Sequence, residues 1–149
     1  MEIKKEHDSY HTSLKLILKN NAGKILILKD KEGGTFDGLY DLPGGRIDTD
    51  EFKTPFPEII QRETQEEIGN VNIKLNPTPQ AIGRGSYYSK SSQKEIRILY
   101  VFFEARYIDG AINISDEHED YKWIDLAKES PKNYFVSGIL EGIEMYLAH

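Results

Sequence analysis

The stretch RETQEEIG, residues 62–69, puts three carboxylates, Glu63, Glu66 and Glu67, within five positions of one another. On a helix, residues three and four apart are neighbours, so these side chains fall within an arc of about 100° and share one face. Like charges at that spacing repel by a few tenths of a kcal/mol per pair. The only nearby cation is Arg62, which by position points partly away from the cluster. The face therefore lacks a positive partner, and a hard divalent ion such as magnesium would supply one, because it takes carboxylate oxygens together with water and phosphate oxygens. Just upstream, LPGGRIDTDE carries Gly44 and Gly45, and adjacent glycines let backbone groups approach a ligand closely. Carboxylates and close backbone together suit metal-assisted phosphoryl or nucleotidyl transfer, in which a carboxylate takes the proton of the attacking water.

An acidic helix face is most often plain solvated surface. What weighs against that reading is the glycine block in register before it.

The elements that must hold these residues are legible as alternation and punctuation. SLKLILKNNAGKILILKD alternates on both sides of an Asn/Gly turn and reads as a β-hairpin. KEGGTFDGLYDLPGGRID reads as a loop, a brief strand at LYDL and a tight glycine turn, with exposed backbone. TPFPEIIQRETQEEIGN reads as a helix with Pro57 in its first turn, Gly69 and Asn70 at its stop, and Ile60, Thr64 and Ile68 facing inward. NIKL, QAIGRGSYYS and EIRILYVFFEARYI read as strands, the last buried and central. DEHEDYKWIDLAKE is an acidic loop leading to a short edge segment, and Phe135, Ile139, Ile143 and Tyr146 line the core face of a final helix. There is no internal repeat and no linker. The expected architecture is a single domain over 1–149, an α/β/α sandwich with a mixed β-sheet.

Composition narrows the chemistry. With 38% hydrophobic and 30% charged residues and no apolar run near the roughly 18 residues of a membrane span, a soluble, cytoplasmic protein is expected. The absence of cysteine removes thiolate nucleophiles and cysteine-held zinc. A net charge of -6 argues against polymeric nucleic acid but permits a small phosphorylated ligand held by metal or local cations.

These residues resemble the box of the MutT-like Nudix hydrolases, G-x5-E-x7-R-E-U-x-E-E-x-G-U, where U is aliphatic. R-E-x-x-E-E-x-G matches at 62–69, Gly45 and Glu51 keep the upstream spacing, and LYDLPGG is similar to the family's strand and double glycine. Two departures stand: ten residues separate Glu51 from Arg62 where the pattern has seven, and Thr64 and Asn70 occupy aliphatic positions. The loop entering the helix is longer, but the geometry of the three glutamates depends only on helical spacing.

The resemblance implies that the Gly44 carbonyl, Glu63, Glu66 and Glu67 surround Mg2+, or Mn2+ in its place, with Arg62 as electrostatic support. It also implies a further carboxylate shortly before a tryptophan. Glu117, six residues before Trp123, is chosen over Glu119 and Asp120, and Glu63 and Glu117 are both candidates for the general base. His118, between acids on a loop, is read as exposed and without a role. In GRGSYYSK, Arg84 or Lys90 could meet phosphate and Tyr87, 17 residues past Asn70, could contact a base. The implied activity is hydrolysis of the diphosphate bond in a nucleoside diphosphate linked to another moiety: a nucleoside triphosphate, nucleotide sugar, ADP-ribose or dinucleoside polyphosphate. The alternative is a nucleotide-sensing module without hydrolysis. A homodimer is compatible with either.

Overall fold

The computed structural model describes residues 4–31 and 39–149. The loop expected between Lys31 and Leu39 lies outside the described residues. Strands β1 (His11–Lys19) and β2 (Ile25–Asp30) flank the Asn20–Lys24 turn, where the Asn20 side-chain oxygen accepts from the Ala22 and Lys24 N–H groups and Gly23 has φ +76°. They do not form a full hairpin. Their antiparallel pairing is confined to Lys19 and Ile25, and β1 runs parallel to the long strand β7 (Lys94–Asp109) from His11 to Lys19.

The edge of β1 that β2 leaves is taken by residues read from sequence as a glycine turn. After β3 (Tyr40–Asp41), Gly44–Arg46 form β4, pairing antiparallel with Ser13–Lys15, and Leu16 N–H donates to the Pro43 carbonyl at 2.8 Å. Leu42, Pro43 and Gly44 are consequently buried, not exposed as expected. Gly44 has φ +136°, and a Cβ there would stand 1.9 Å from the Leu14 carbonyl oxygen, so only glycine lets this segment press onto β1.

A short 3-10 turn, Thr49–Glu51, precedes helix α1 (Phe56–Ile68), so the longer loop is absorbed between Phe52 and Pro55. β5 (Asn72–Leu75) and β6 (Ala81–Ser89) both pair antiparallel with β7, and β8 (His118–Ile124) pairs with β2 at the sheet's other side. Helix α2 (Ser137–Leu147) closes the chain. The sheet is mixed, as expected.

Period-two alternation in β1, β2 and β7 sorts the core into two layers. Ile17, Ile25, Ile27, Ile98, Tyr100 and Phe102 face one side, where Ile139 and Ile143 of α2 cover them. Leu14, Leu16, Leu18, Leu26, Leu28, Phe103 and Ala105 face the other, under Ile59, Ile60 and Ile68 of α1. This is the expected α/β/α sandwich. The three α1 isoleucines stabilise by about 2 kcal/mol each on burial. That anchorage holds the same helical face in place although it also buries two carboxylates.

Candidate active site

Helix α1 presents its glutamates unequally. Glu63 and Glu67 are 8% exposed, on the buried face beside Ile60 and Thr64, whereas the Glu66 side chain is 60% exposed. The three do not form one uniform face: Glu63 and Glu67, one turn apart, lie within about 40° of each other, and Glu66 is rotated towards the rim. Both buried carboxylates pack on the double glycine. Gly44 N–H donates to Glu67 Oε2 at 3.0 Å, and a Cβ on Gly45 would fall 2.3 Å from Glu63 Oε2. The two glycines thus serve two contacts, one with β1 and one with the Glu63 carboxylate.

Arg62 does not point away. Its guanidinium meets Glu51 at 2.6 Å, Glu63 at 3.0 Å and Glu66 at 3.3 Å. Glu51, despite the longer spacing, is held here; bonds from Arg62 and from the Asp48 N–H lower its pKa. These contacts raise the pKa of Arg62 above its already high ordinary value, so it stays cationic.

The face lines a cavity of about 710 Å³, which Glu63, Glu66, Glu67 and Glu117 share with Gly44, Gly45, Arg46, Arg62, Tyr100 and His118. Glu117 is exposed at its edge. Glu119 instead pairs with Lys29 at 3.0 Å. Arg84 lies elsewhere, lining a separate hollow of about 370 Å³ with Tyr10, Arg97, Ser137 and Glu141. Lys90 is exposed in the turn after β6. Tyr87 is half-buried, does not itself line the cavity, and meets Arg46 at its wall as a hydrogen-bond acceptor and as a ring 4.9 Å beneath the guanidinium.

Two buried pairs were not anticipated. Lys15, 6% exposed in the middle of β1, bonds Asp41 of β3 at 2.9 Å. Its signal was a lysine flanked by leucines in a strand buried on both faces. His118 is not an exposed loop residue: it begins β8, is 7% exposed, and its Nε2 lies 3.3 Å from Asp30. β8 thus begins inside the stretch read as an acidic loop, because it pairs with β2 up to Asp30.

The electrostatics follow from this burial. Burial pushes Glu67 up to about 7, against partial relief from Lys15 and the Gly44 N–H. Burial likewise raises Glu63, with Arg62 opposing. For Lys15, burial disfavours the charge, yet Asp41 and Glu67 outweigh it and raise the pKa. For His118 the balance is the same: burial opposes the charge, and the Asp30 hydrogen bond and Glu67 overcome it. Glu67 is therefore a carboxylate whose ionisation the protein's own cations do not fully support.

Oxygen donors with unsupported charge fit a hard divalent ion. Among the described residues, no three His or carboxylate side chains converge closely enough to hold one as they stand. Glu63 and Glu66 are turned to Arg62, and Glu67 to Gly44 N–H. All three glutamates nevertheless line the same cavity.

A carboxylate helix laid on a double glycine over an α/β/α sandwich is the arrangement of a Nudix hydrolase. The NUDIX domain model matches residues 9–138, and the chain belongs to that family. Among curated relatives, the nucleoside triphosphatase NudI of Escherichia coli O139:H28 is 25% identical over 111 residues, covering 72% of this chain and 77% of that protein. A MutT protein from Methanosarcina mazei Go1 has a similar structure, with TM-score 0.61 and 28% identity over 83% of each chain. The NUDIX domain of Shewanella oneidensis NrtR, in complex with ADP ribose, shares the fold at TM-score 0.63 and 17% identity, covering 95% of this chain and 86% of that one.

Proposed function

We propose that the protein is a divalent-metal-dependent pyrophosphohydrolase that cleaves the diphosphate bond of a nucleoside diphosphate derivative by attack of water on phosphorus. The observation that carries this reading is the pair Glu63 and Glu67, buried one turn apart against Gly44 and Gly45 in a cavity that also holds Glu66 and Glu117. Glu63, Glu66 and Glu67, with the Gly44 carbonyl, would hold Mg2+ or Mn2+. When bound, the ion supplies Lewis-acid polarisation of the phosphoryl oxygen and lowers the pKa of water.

The chain's own groups do the rest. Arg62 pairs with Glu51, Glu63 and Glu66 and so offsets the repulsion among these carboxylates. Glu117, exposed at the cavity edge, accepts the proton of the attacking water; Glu63, restrained by Arg62, is the less mobile candidate. Lys15 keeps Asp41 and Glu67 from accumulating unopposed negative charge. The match across residues 9–138 supports one catalytic domain. Similarity to NudI supports testing nucleoside triphosphates first.

The test is a hydrolysis panel of nucleoside triphosphates, nucleotide sugars, ADP-ribose and dinucleoside polyphosphates, with Mg2+ or Mn2+ in 18O-water and product masses read. Turnover of one class, with one 18O on a phosphate product, is the expected result. Tight nucleotide binding with no hydrolysis of any class would favour the sensing alternative.

A further inference from the structure

The proposed reaction needs a cation for the substrate's phosphates, and most cavity cations are already engaged. Lys15 is held by Asp41 at 2.9 Å, His118 by Asp30 at 3.3 Å, and Arg62 by Glu51 at 2.6 Å. Arg46 differs. It directly follows Gly45, whose Cα packs against the Glu63 carboxylate, so β4 brings its guanidinium to the wall next to the acidic face. Among the described residues its partners are not carboxylates. Nη2 donates to the Tyr87 hydroxyl, Nη1 lies 3.3 Å from His11 Nδ1, and the ring of Tyr87 lies 4.9 Å below the guanidinium carbon.

A guanidinium stacked on a ring loses little further freedom when it binds, and its planar fork matches phosphate oxygens. Tyr87 and His11 occupy only some of its N–H donors, leaving others for a ligand. Lys31, by contrast, is exposed where it lines the same cavity.

We propose that Arg46 binds the phosphate chain of the nucleotide and that Tyr87, which it rests on, is its positioning residue. Resting on the proposed function, this replaces Arg84, which lines a different hollow, as the phosphate contact. It also gives Tyr87 a role through Arg46 instead of a direct contact with the base.

The experiment measures binding of an α,β-methylene nucleoside triphosphate by calorimetry in excess Mg2+, with steady-state kinetics beside it. Arg46→Gln is expected to weaken analogue binding roughly 10- to 100-fold, and Arg46→Lys, which keeps charge but not the fork, by less. Tyr87→Leu should raise KM by about tenfold with kcat little changed, and Tyr87→Phe, which keeps the ring, should recover part of that loss. The thermal shift produced by Mg2+ alone should stay at the wild-type value in all four variants, which separates this role from general damage to the site. Analogue affinity within twofold of wild type in a folded Arg46→Gln protein overturns the proposal while leaving the proposed function intact. If the wild-type protein neither binds the analogue nor hydrolyses any substrate on the panel, both fall together.

Discussion

Glu66 and Glu67 are adjacent in sequence yet face opposite consequences of mutation. The Glu66 side chain is 60% exposed and contributes little to packing. Glu66→Gln is therefore expected to leave the melting temperature within about 2 °C of wild type while lowering turnover on the order of 100-fold or more, as a paired assay of unfolding and phosphate release would show. Glu67 is buried, and its carboxyl is raised from 4.5 to about 7. A carboxyl raised on folding costs nothing below the unfolded-state value, because both states are protonated there. As pH climbs through that value the unfolded chain ionises first, and the loss is complete above the folded-state value. Metal-free protein should thus lose on the order of 3 kcal/mol between pH 4.5 and 7 relative to Glu67→Gln, measured by denaturant unfolding of both across that range. The helical spacing of Glu63, Glu66 and Glu67 was legible in the sequence because it is a property of the local chain. The separation into two buried and one exposed carboxylate was not, since it depends on which side α1 lays against β4. His118 and Lys15 were missed for the same reason: their partners Asp30 and Asp41 are distant in sequence and reach them only through strand pairing.

At the scale of the element, the double glycine separates stability from function. Gly44 sits at φ +136° with the Leu14 carbonyl 1.9 Å from where a Cβ would be, so Gly44→Ala forces β4 off β1. It should destabilise by about 3 kcal/mol, read by thermal or denaturant unfolding. At Gly45 the obstruction is the end of the Glu63 side chain. Gly45→Ala can be accommodated by moving that carboxylate, so it should cost roughly 1 kcal/mol or less in stability but strongly reduce divalent-ion affinity and turnover. The reverse ranking would mean that Gly45, not Gly44, governs the packing of β4. Strand, helix and turn types were readable from alternation and from Pro57, Gly23 and Gly69. What alternation could not show was that residues 44–46 form a strand, because its strongest determinant is a free edge on β1. That edge exists only because β1 and β2 part after Lys19 and Ile25.

For the whole molecule, the mixed sheet with one helix on each face brings groups from β1, β3, β4, α1 and β8 around a single cavity, and the sandwich was readable from the order of strands and helices around one sheet. On the proposed function, its excess of carboxylates links ion binding to folding. Mg2+ at about 100 times its dissociation constant should stabilise by about 2.7 kcal/mol at pH 8, a rise in melting temperature of roughly 5–10 °C, and by much less at pH 5, where protonation competes for Glu67. The measurement that reaches the central claim most directly is Mn2+ titration followed by electron paramagnetic resonance at pH 8 on the wild-type protein and on Glu63→Gln, Glu66→Gln and Glu67→Gln. The account predicts saturable binding to wild type, weakened at least tenfold by each substitution. Mn2+ bound by all three variants as tightly as by wild type would contradict it.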